Sequence, residues 1–349
     1  MCMKNEKTLT IVIPSYNVAH YLPKTLDSLV SCKHIAVLDI IIINDGSRDQ
    51  TEEVCKRYAA FYPESVRYIT KENGGHGSGI NTGLKLASGK YFSVMDGDDW
   101  GNANALNHIL EVMASATDDV LAANFQTYNI VNGDIVHYCF GQVEYGRSYS
   151  IDELVRSGVP LVMHELFYRT ELLRKINLHI REKASYDDEE YCMMPFSKAS
   201  SVRFINEEYY VYRQGDVNQS MSPENQLRRF HDKYEVLKDM IQYVGQPDIE
   251  AANLAYMQSR VDNLITSIYF LWLITCPDRK KGNHEATKFR AWLKKEENLY
   301  YKRTTKLWVA FMVFHLLHFD TKRWNRFRDF RKKLLASIGA AGTNEIKET

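Results

Sequence analysis

Runs of consecutive apolar residues, with little polar alternation, mark the first hundred positions of the chain. Residues 9–13 and 38–43 read as strands buried on both faces, because a strand covered by helices on each side has no solvent face to make polar. Val66–Thr70 is predicted as a third strand and residues 91–95 as a fourth, running into Asp96. Between them, apolar positions recur at helical spacing. One set is Val18, Tyr21, Leu22, Leu26 and Leu29, with Pro23 tolerated in the first turn. Another is Val54, Tyr58 and Phe61, opened by a capping box of Ser47 and Gln50. Residues 80–87 form a third helix, closed by Gly89. This βαβαβαβ order predicts an α/β fold with a doubly wound, mostly parallel sheet flanked by helices.

Further along, the pattern predicts a helix over 102–114, a strand over 120–125 and a hairpin over 128–138 turning at Asn132-Gly133-Asp134. Ile151–Ser157 reads as a helix, and so does the stretch from Thr170. Residues 202–205 and 209–212 read as two short strands. From about Pro223 the pattern becomes helical, with Met257, Val261, Leu264, Ile268 and Leu271 on one face. The expected organisation is a domain over 1–222, a helical C-terminal region over 223–340 that serves as a membrane-surface or oligomer contact, and a disordered tail over 341–349.

Polar residues gather where the strands end: Ser15 and Asn17, Asp45, Lys71 to Asn73, and Asp96 to Asp99. In an open α/β sheet these loops converge on one edge, where ligands bind. Asp96-Gly97-Asp98-Asp99 sets three carboxylates within four positions. They raise one another's pKa unless a cation neutralises them, and a hard divalent ion with oxygen ligands suits the task. A solvated acidic turn is the alternative. A second acidic run, Asp187-Asp188-Glu189-Glu190, opens a helix, where acid also suits the positive end of the helix dipole. The glycine-rich stretch 73–79 lacks the Gly-Lys-Ser/Thr of a Walker loop and reads as a tight turn.

Composition narrows the class. With 44 basic and 44 acidic residues the net charge is zero, so nothing global points to nucleic acid. The 6 cysteines lie far apart without a Cys-x-x-Cys pair, the pattern of a reduced, cytoplasmic protein with no disulfide frame. No apolar run reaches the roughly 20 residues of a spanning helix. Residues 302–333 hold ten Lys/Arg against two Asp, with Trp324, Phe327 and Phe330 interleaved. Such a segment either lies on the anionic inner face of the cytoplasmic membrane or packs its aromatics internally.

The ordered set Thr10-Ile11-Val12-Ile13-Pro14-Ser15-Tyr16-Asn17, Ile41-Ile42-Ile43-Asn44-Asp45-Gly46-Ser47, Glu72-Asn73-Gly74-Gly75, Asn81-Thr82-Gly83 and Met95-Asp96-Gly97-Asp98-Asp99-Trp100 resembles family 2 glycosyltransferases with a GT-A fold. Tyr186-Asp187-Asp188-Glu189-Glu190 and Tyr212-Arg213-Gln214 resemble that family's base motif and closing loop. The likeness spans about residues 8–222. It implies an inverting transfer of sugar from a nucleoside-diphosphate sugar, most often a UDP-sugar, to a glycan or lipid-linked acceptor in cell-surface polysaccharide synthesis.

The resemblance implies roles by position. Pro14, Ser15, Tyr16, Asn17, Asp45, Asn73 and Gly75 line the nucleotide pocket. Asp96 lies near ribose and metal, Asp98 binds Mn²⁺ or Mg²⁺ directly, and Asp99 supports them. Asp188 is the base, with Asp187 and Glu189 each one position away. Arg213, Gln219 and Ser220 fold over the diphosphate, and His164 meets the acceptor. Departures are Ile80 where many members carry Arg, His76-Gly77 for Leu-Ser, and no histidine near Gly215. A sugar nucleotidyltransferase is disfavoured because Pro14–Asn17 has no basic residue for a triphosphate. A non-catalytic nucleotide-sugar-binding or membrane-docked scaffold subunit is the other alternative, and homo-oligomer contact stays open.

Overall fold

The computed structural model describes residues 6–216 and 222–328 and the short strand Glu345–Ile346. They fall into two compact units. The first comprises the chain up to Asp216, Tyr243–Met257 and the C-terminal strand; the second comprises the described residues of 217–242 and 258–343.

In the first unit β1 (Leu9–Ser15), β2 (Leu38–Asn44), β3 (Val66–Thr70) and β4 (Tyr91–Val94) pair in parallel, in the order β3-β2-β1-β4. Every residue of β1 and β2 is buried, polar ones included. The buried polar groups satisfy one another. Asp39 accepts both Nε and Nη2 of Arg67 at 2.9 Å, and also Thr10 Oγ1 and Ser88 Oγ. Burial opposes the charge on Asp39, but Arg67 and Ser88 outweigh it and hold its acid below the usual range. The crossovers are α1 (Leu22–Val30), α2 (Thr51–Phe61) and α3 (His76–Leu86).

Beyond β4 come β5 (Trp100–Gly101), α4 (Ala103–Ser115), β6 (Val120–Asn129), β7 (Ile135–Tyr138), β8 (Ser148–Ser150), α5 (Ile151–Ser157), β9 (Leu166–Arg169), α6 (Thr170–Lys175), α7 (Asp188–Met193) and β10 (Ser201–Gln214). β9 enters antiparallel between β4 and β6, so the sheet is mixed, with the parallel part carrying the first four strands. The two short strands predicted over 202–212 are one strand, β10, which stays paired with β6 through register shifts near Glu208. The C-terminal strand β11 (Glu345–Ile346) pairs antiparallel with β7. The rest of the expected 341–349 tail lies outside the described residues.

Two local expectations are corrected. Helix α2 begins at Thr51, with Asp49 accepting its N–H at 3.0 Å, while Ser47 Oγ accepts from Asn17 N–H; Ser47 is therefore not the cap. Helix α3 begins at His76, four residues before the predicted start, because its glycines are helical. A Cβ on Gly79 would lie 2.9 Å from Pro14 Cβ, and one on Gly83 would lie 2.4 Å from both Val12 methyls. Each glycine weakens the helix by roughly 1 kcal/mol, and close packing of α3 on β1 compensates.

The second unit is helical, with α8 (Pro223–Arg228), α9 (Phe230–Val244), α10 (Ala251–Phe270), α11 (Arg279–Glu296), α12 (Asn298–Arg303), α13 (Thr305–Leu316) and a helical stretch over 321–328. The ends of α9 and α10 that adjoin their connecting loop belong to the first unit. The apolar face predicted on α10 is buried. Trp324 packs on Phe270, Phe311 and Phe314 at 5.3, 5.8 and 5.3 Å, so these aromatics are turned inward. Leu307, Val309, Val313, Leu316 and Leu317 remain exposed. Among the described residues no helix is long and apolar enough to cross a membrane.

The contact between α3 and β1 yields a stability prediction. Gly83→Ala should destabilise the first unit by about 1–3 kcal/mol through overpacking, read as a lower urea midpoint at unchanged slope. An unchanged midpoint would contradict the close contact.

Candidate active site

The parallel pairing Ser15↔Asn44 and Val12↔Val94 brings the carboxyl ends of β1, β2 and β4 side by side. Just beyond β2, Asp45 is 3% exposed and acts as a clamp. Its carboxylate accepts Lys71 Nζ at 2.7 Å, Gly74 N–H at 2.9 Å and Gly75 N–H at 2.7 Å, while its carbonyl accepts Asn73 Nδ2 at 2.9 Å. Asp45 therefore shapes the glycine loop, and a bond to a nucleobase would be an additional one. Gly75 has φ +85°, and a Cβ there would meet Lys183 N at 3.0 Å, so glycine is required on both counts. Pro14 and Ser15 are buried, Tyr16 is 47% exposed, and Asn17 takes the left-handed conformation and accepts from Arg48 N–H at 2.8 Å.

The three carboxylates after β4 have different surroundings. Asp99 is buried; its Oδ2 accepts Tyr210 Oη at 2.6 Å and its Oδ1 accepts Arg213 N–H at 2.7 Å. Burial, then the charges of Asp96 and Asp98, push its acid well above the ordinary range. Asp98 is half-buried, 3.5 Å from Arg213 Nη1, and burial followed by the charge of Asp96 pushes it up to about 6. Asp96 lies 3.1 Å from His76 Nε2. Burial opposes its ionisation, but His76 outweighs that and holds its acid low.

The structure brings most of the other predicted residues to the same place. Arg213 is buried, bonded to Tyr21 Oη at 3.1 Å and Asp216 at 3.0 Å, with its guanidinium over the Tyr21 ring. His164 stacks on Tyr212 with centroids 4.6 Å apart, and burial lowers its pKa to about 4, leaving the ring neutral. Asp188 is exposed at the first turn of α7, whereas Asp187 is buried and bonded to His76 Nδ1 at 2.9 Å. The acid of Tyr212 is raised by burial, then by Asp99, Asp96, Asp98 and Asp188, so both acidic groups act on one hydroxyl. Gln219 and Ser220 lie outside the described residues. His76 joins Asp96 to Asp187, a link the sequence marks only as a departure from the family pattern. The tyrosines Tyr21 and Tyr210 carry no local signal at all.

These groups fit a divalent cation. Burial first, and then the neighbouring charge of Asp96, raise Asp98 to about 6, and a bound cation would relieve both. One ligand atom each from Asp96, Asp99 and His164 lie within 4.8 Å of one another. Asp98 is not one of the three; Asp99 already accepts two hydrogen bonds, whereas the Asp98 carboxylate is the more open. Oxygen donors with one imidazole suit Mn²⁺ or Mg²⁺.

The Asp45 clamp is testable by itself. Asp45→Asn exchanges a charged acceptor of two backbone N–H groups for a neutral amide and should cost on the order of 2–3 kcal/mol in chemical denaturation. A wild-type midpoint would contradict the clamp.

Residues 10–176 match the family model described as Glycosyl transferase family 2. The chain is 30% identical over 251 residues to the uncharacterised glycosyltransferase MG025 homolog of Mycoplasma pneumoniae, covering 69% of this chain and 79% of that protein. It is 26% identical over 217 residues to glycosyltransferase GlyA of Streptococcus pneumoniae, covering 60% of this chain but only 31% of GlyA. The solved structure of TarS 1-349 from S. aureus in complex with UDP matches at TM-score 0.58 and 20% identity, over 78% of this chain and 77% of that one. The mixed sheet with its flanking helices is thus the GT-A type of fold, and the chain belongs to glycosyl transferase family 2.

Proposed function

We propose that the first unit is an inverting, metal-dependent glycosyltransferase, moving a sugar from a UDP-sugar to a hydroxyl of a glycan or lipid-linked acceptor in cell-surface polysaccharide synthesis. The observation that carries this reading is the division of carboxylates. Asp96 and Asp98 follow β4, Asp188 stands on α7, and His76 links the two groups, 3.1 Å from Asp96 and bonded to Asp187 at 2.9 Å. Leaving-group departure and acceptor deprotonation need separate acids and bases, and two clusters at one site supply them. That TarS was solved with UDP is consistent with the donor class.

In this reading the exposed Tyr16 ring lies against the nucleobase, and the loop held by Asp45 forms the pocket wall with Pro14, Ser15, Asn17, Asn73 and Gly75. Asp96 and Asp98 hold the cation, with His164 presenting a neutral nitrogen beside them. A divalent cation there would stabilise the charge that the departing diphosphate gains. Arg213 supplies a fixed positive charge next to Asp98, and Gln219 and Ser220 are further candidates for diphosphate contact. Asp188 takes the proton of the acceptor hydroxyl as that oxygen attacks the anomeric carbon from the face opposite the nucleotide. One displacement from one face inverts the configuration.

The second unit meets the anionic inner face of the membrane through the outer side of α13. Val309, Val313, Leu316 and Leu317 are exposed there, and Lys302, Lys306, Lys322, Arg323 and Arg326 are exposed in the same unit. Trp324 packs on Phe311, which leaves the aliphatic stripe, together with the exposed Phe327, as the apolar contact.

Three measurements follow from this reading. A panel of nucleotide sugars should reveal one whose turnover requires Mn²⁺. Asp188→Asn should then lower kcat by about 10²-fold or more with nucleotide binding retained; a wild-type kcat in that variant would contradict its role as the base, and nucleotide binding without any turnover by the wild-type protein would favour the scaffold role. Because Asp98 titrates near 6, protons compete with the cation below that pH. Affinity for Mn²⁺ should weaken by up to about tenfold per pH unit below 6 and level off above roughly pH 7. Asp98→Asn should lose both affinity and this dependence, and a wild-type curve in that variant would contradict its role. Val313→Asp with Leu316→Asp should abolish binding to phosphatidylglycerol vesicles without changing Tm. Vesicle binding that persists, or a change in oligomeric state instead, would overturn the membrane assignment.

A further inference from the structure

We propose that His76 is a positioning residue that ties the metal-side carboxylate Asp96 to the segment carrying Asp188. The inference rests on the roles proposed above for Asp96 and Asp188. Its starting point is the irregular chain over 180–187. Lys183 and Tyr186 adopt φ of +55° and +69°, left-handed values that non-glycine residues avoid. Such a backbone persists only where its surroundings impose it.

Those surroundings are α3 and the glycine loop before it. Asn81 bonds both backbone groups of Ile180, donating to its carbonyl and accepting its N–H, each at 2.8 Å. Lys183 N–H donates to Gly74 carbonyl at 2.7 Å. Next to His76, a Cβ on Gly77 would fall 2.2 Å from Arg181 carbonyl oxygen, so the two segments touch at backbone distance. These contacts fix the beginning of the segment. Near its end, His76 Nδ1 lies 2.9 Å from Asp187 Oδ2, one residue before Asp188.

Asp187 is the N-cap of α7, where aspartate normally accepts an N–H of its own helix. It makes no such cap bond. Its buried carboxylate bonds the histidine instead, which is what a tether requires. The other end of the same ring, Nε2, lies 3.1 Å from Asp96 Oδ1 but off the line of a good hydrogen bond, so this end is a charge contact. A rigid five-membered ring thus sets the spacing between the carboxylate that faces the nucleotide and the helix that presents the base. Positioning of this kind is worth a large factor in rate, because a 1 Å misplacement can cost about 10²-fold.

Two near-isosteres separate the ends of the ring. In His76→Asn the amide sits where Nδ1 was and keeps the Asp187 bond; in His76→Gln it sits where Nε2 was and keeps only the Asp96 contact. The experiment measures kcat and KM for the donor identified in the panel. It also follows hydrogen–deuterium exchange of residues 180–193 in the metal-free protein. His76→Ala and His76→Gln should lower kcat by about 10²-fold with KM changed less than about threefold, and should speed exchange of that segment. His76→Asn should restore most of both. If exchange and kcat in His76→Ala match an active wild type, the tether is refuted. If His76→Asn is as impaired as His76→Ala, the Asp187 bond is not the operative contact and the proposal is likewise overturned. Absence of any Mn²⁺-dependent turnover in wild type would instead overturn the reading of the site on which the proposal rests.

Discussion

Backbone-distance packing of α3 is the constraint on which the rest of the site depends. The helix lies on β1 through Gly79 and Gly83 and against the 180–187 segment through Gly77. Any side chain at these positions would push the helix off its neighbours. That contact aligns Asn81 with Ile180, seats His76 between Asp96 and Asp187, and lets Asp45 hold the Gly74 and Gly75 amides. Helix propensity is sacrificed at each glycine. What is gained is a fixed distance between the strand ends and α7.

Charge is the second constraint. Asp96, Asp98 and Asp99 share four positions, and each has a different neutraliser: the His76 ring, the Arg213 guanidinium, and the Tyr210 hydroxyl with a backbone N–H. Asp99 is spent on holding β10 to the β4 end, since both its partners belong to that strand. Asp96 and Asp98 keep half-open carboxylates. The same acidic motif therefore provides an anchor for the sheet and a pair of oxygen donors.

Much of the fold was legible in the chain because it follows from period and from strand-flanking turns. The buried strands, their parallel sense and the C-terminal helices came from apolar runs and 3.6-residue spacing. The start of α3 was not legible, because glycines that break helices in general are required in this one by neighbours distant in the chain, Val12, Pro14 and Arg181. Continuous β10 was missed for a related reason: the polar Asn206-Glu207-Glu208 reads as a turn, while pairing with β6 carries the strand through it. For the site, the acidic motif and the loop residues could be named by pattern. The sequence left Asp187 and Asp188 as near equals; burial and the His76 bond now set them apart. His76, Tyr21 and Tyr210 depend on contacts between distant segments and leave no local signature.

The central claim is that Asp96 and Asp98 hold a divalent cation at the nucleotide's diphosphate. Anomalous diffraction at the manganese edge, from crystals grown with Mn²⁺ and UDP, tests it directly. A single strong peak is expected within coordination distance of Asp98 and Asp96, adjoining the diphosphate oxygens. UDP bound in the site with no manganese peak there, or with the peak at another cluster, would contradict it.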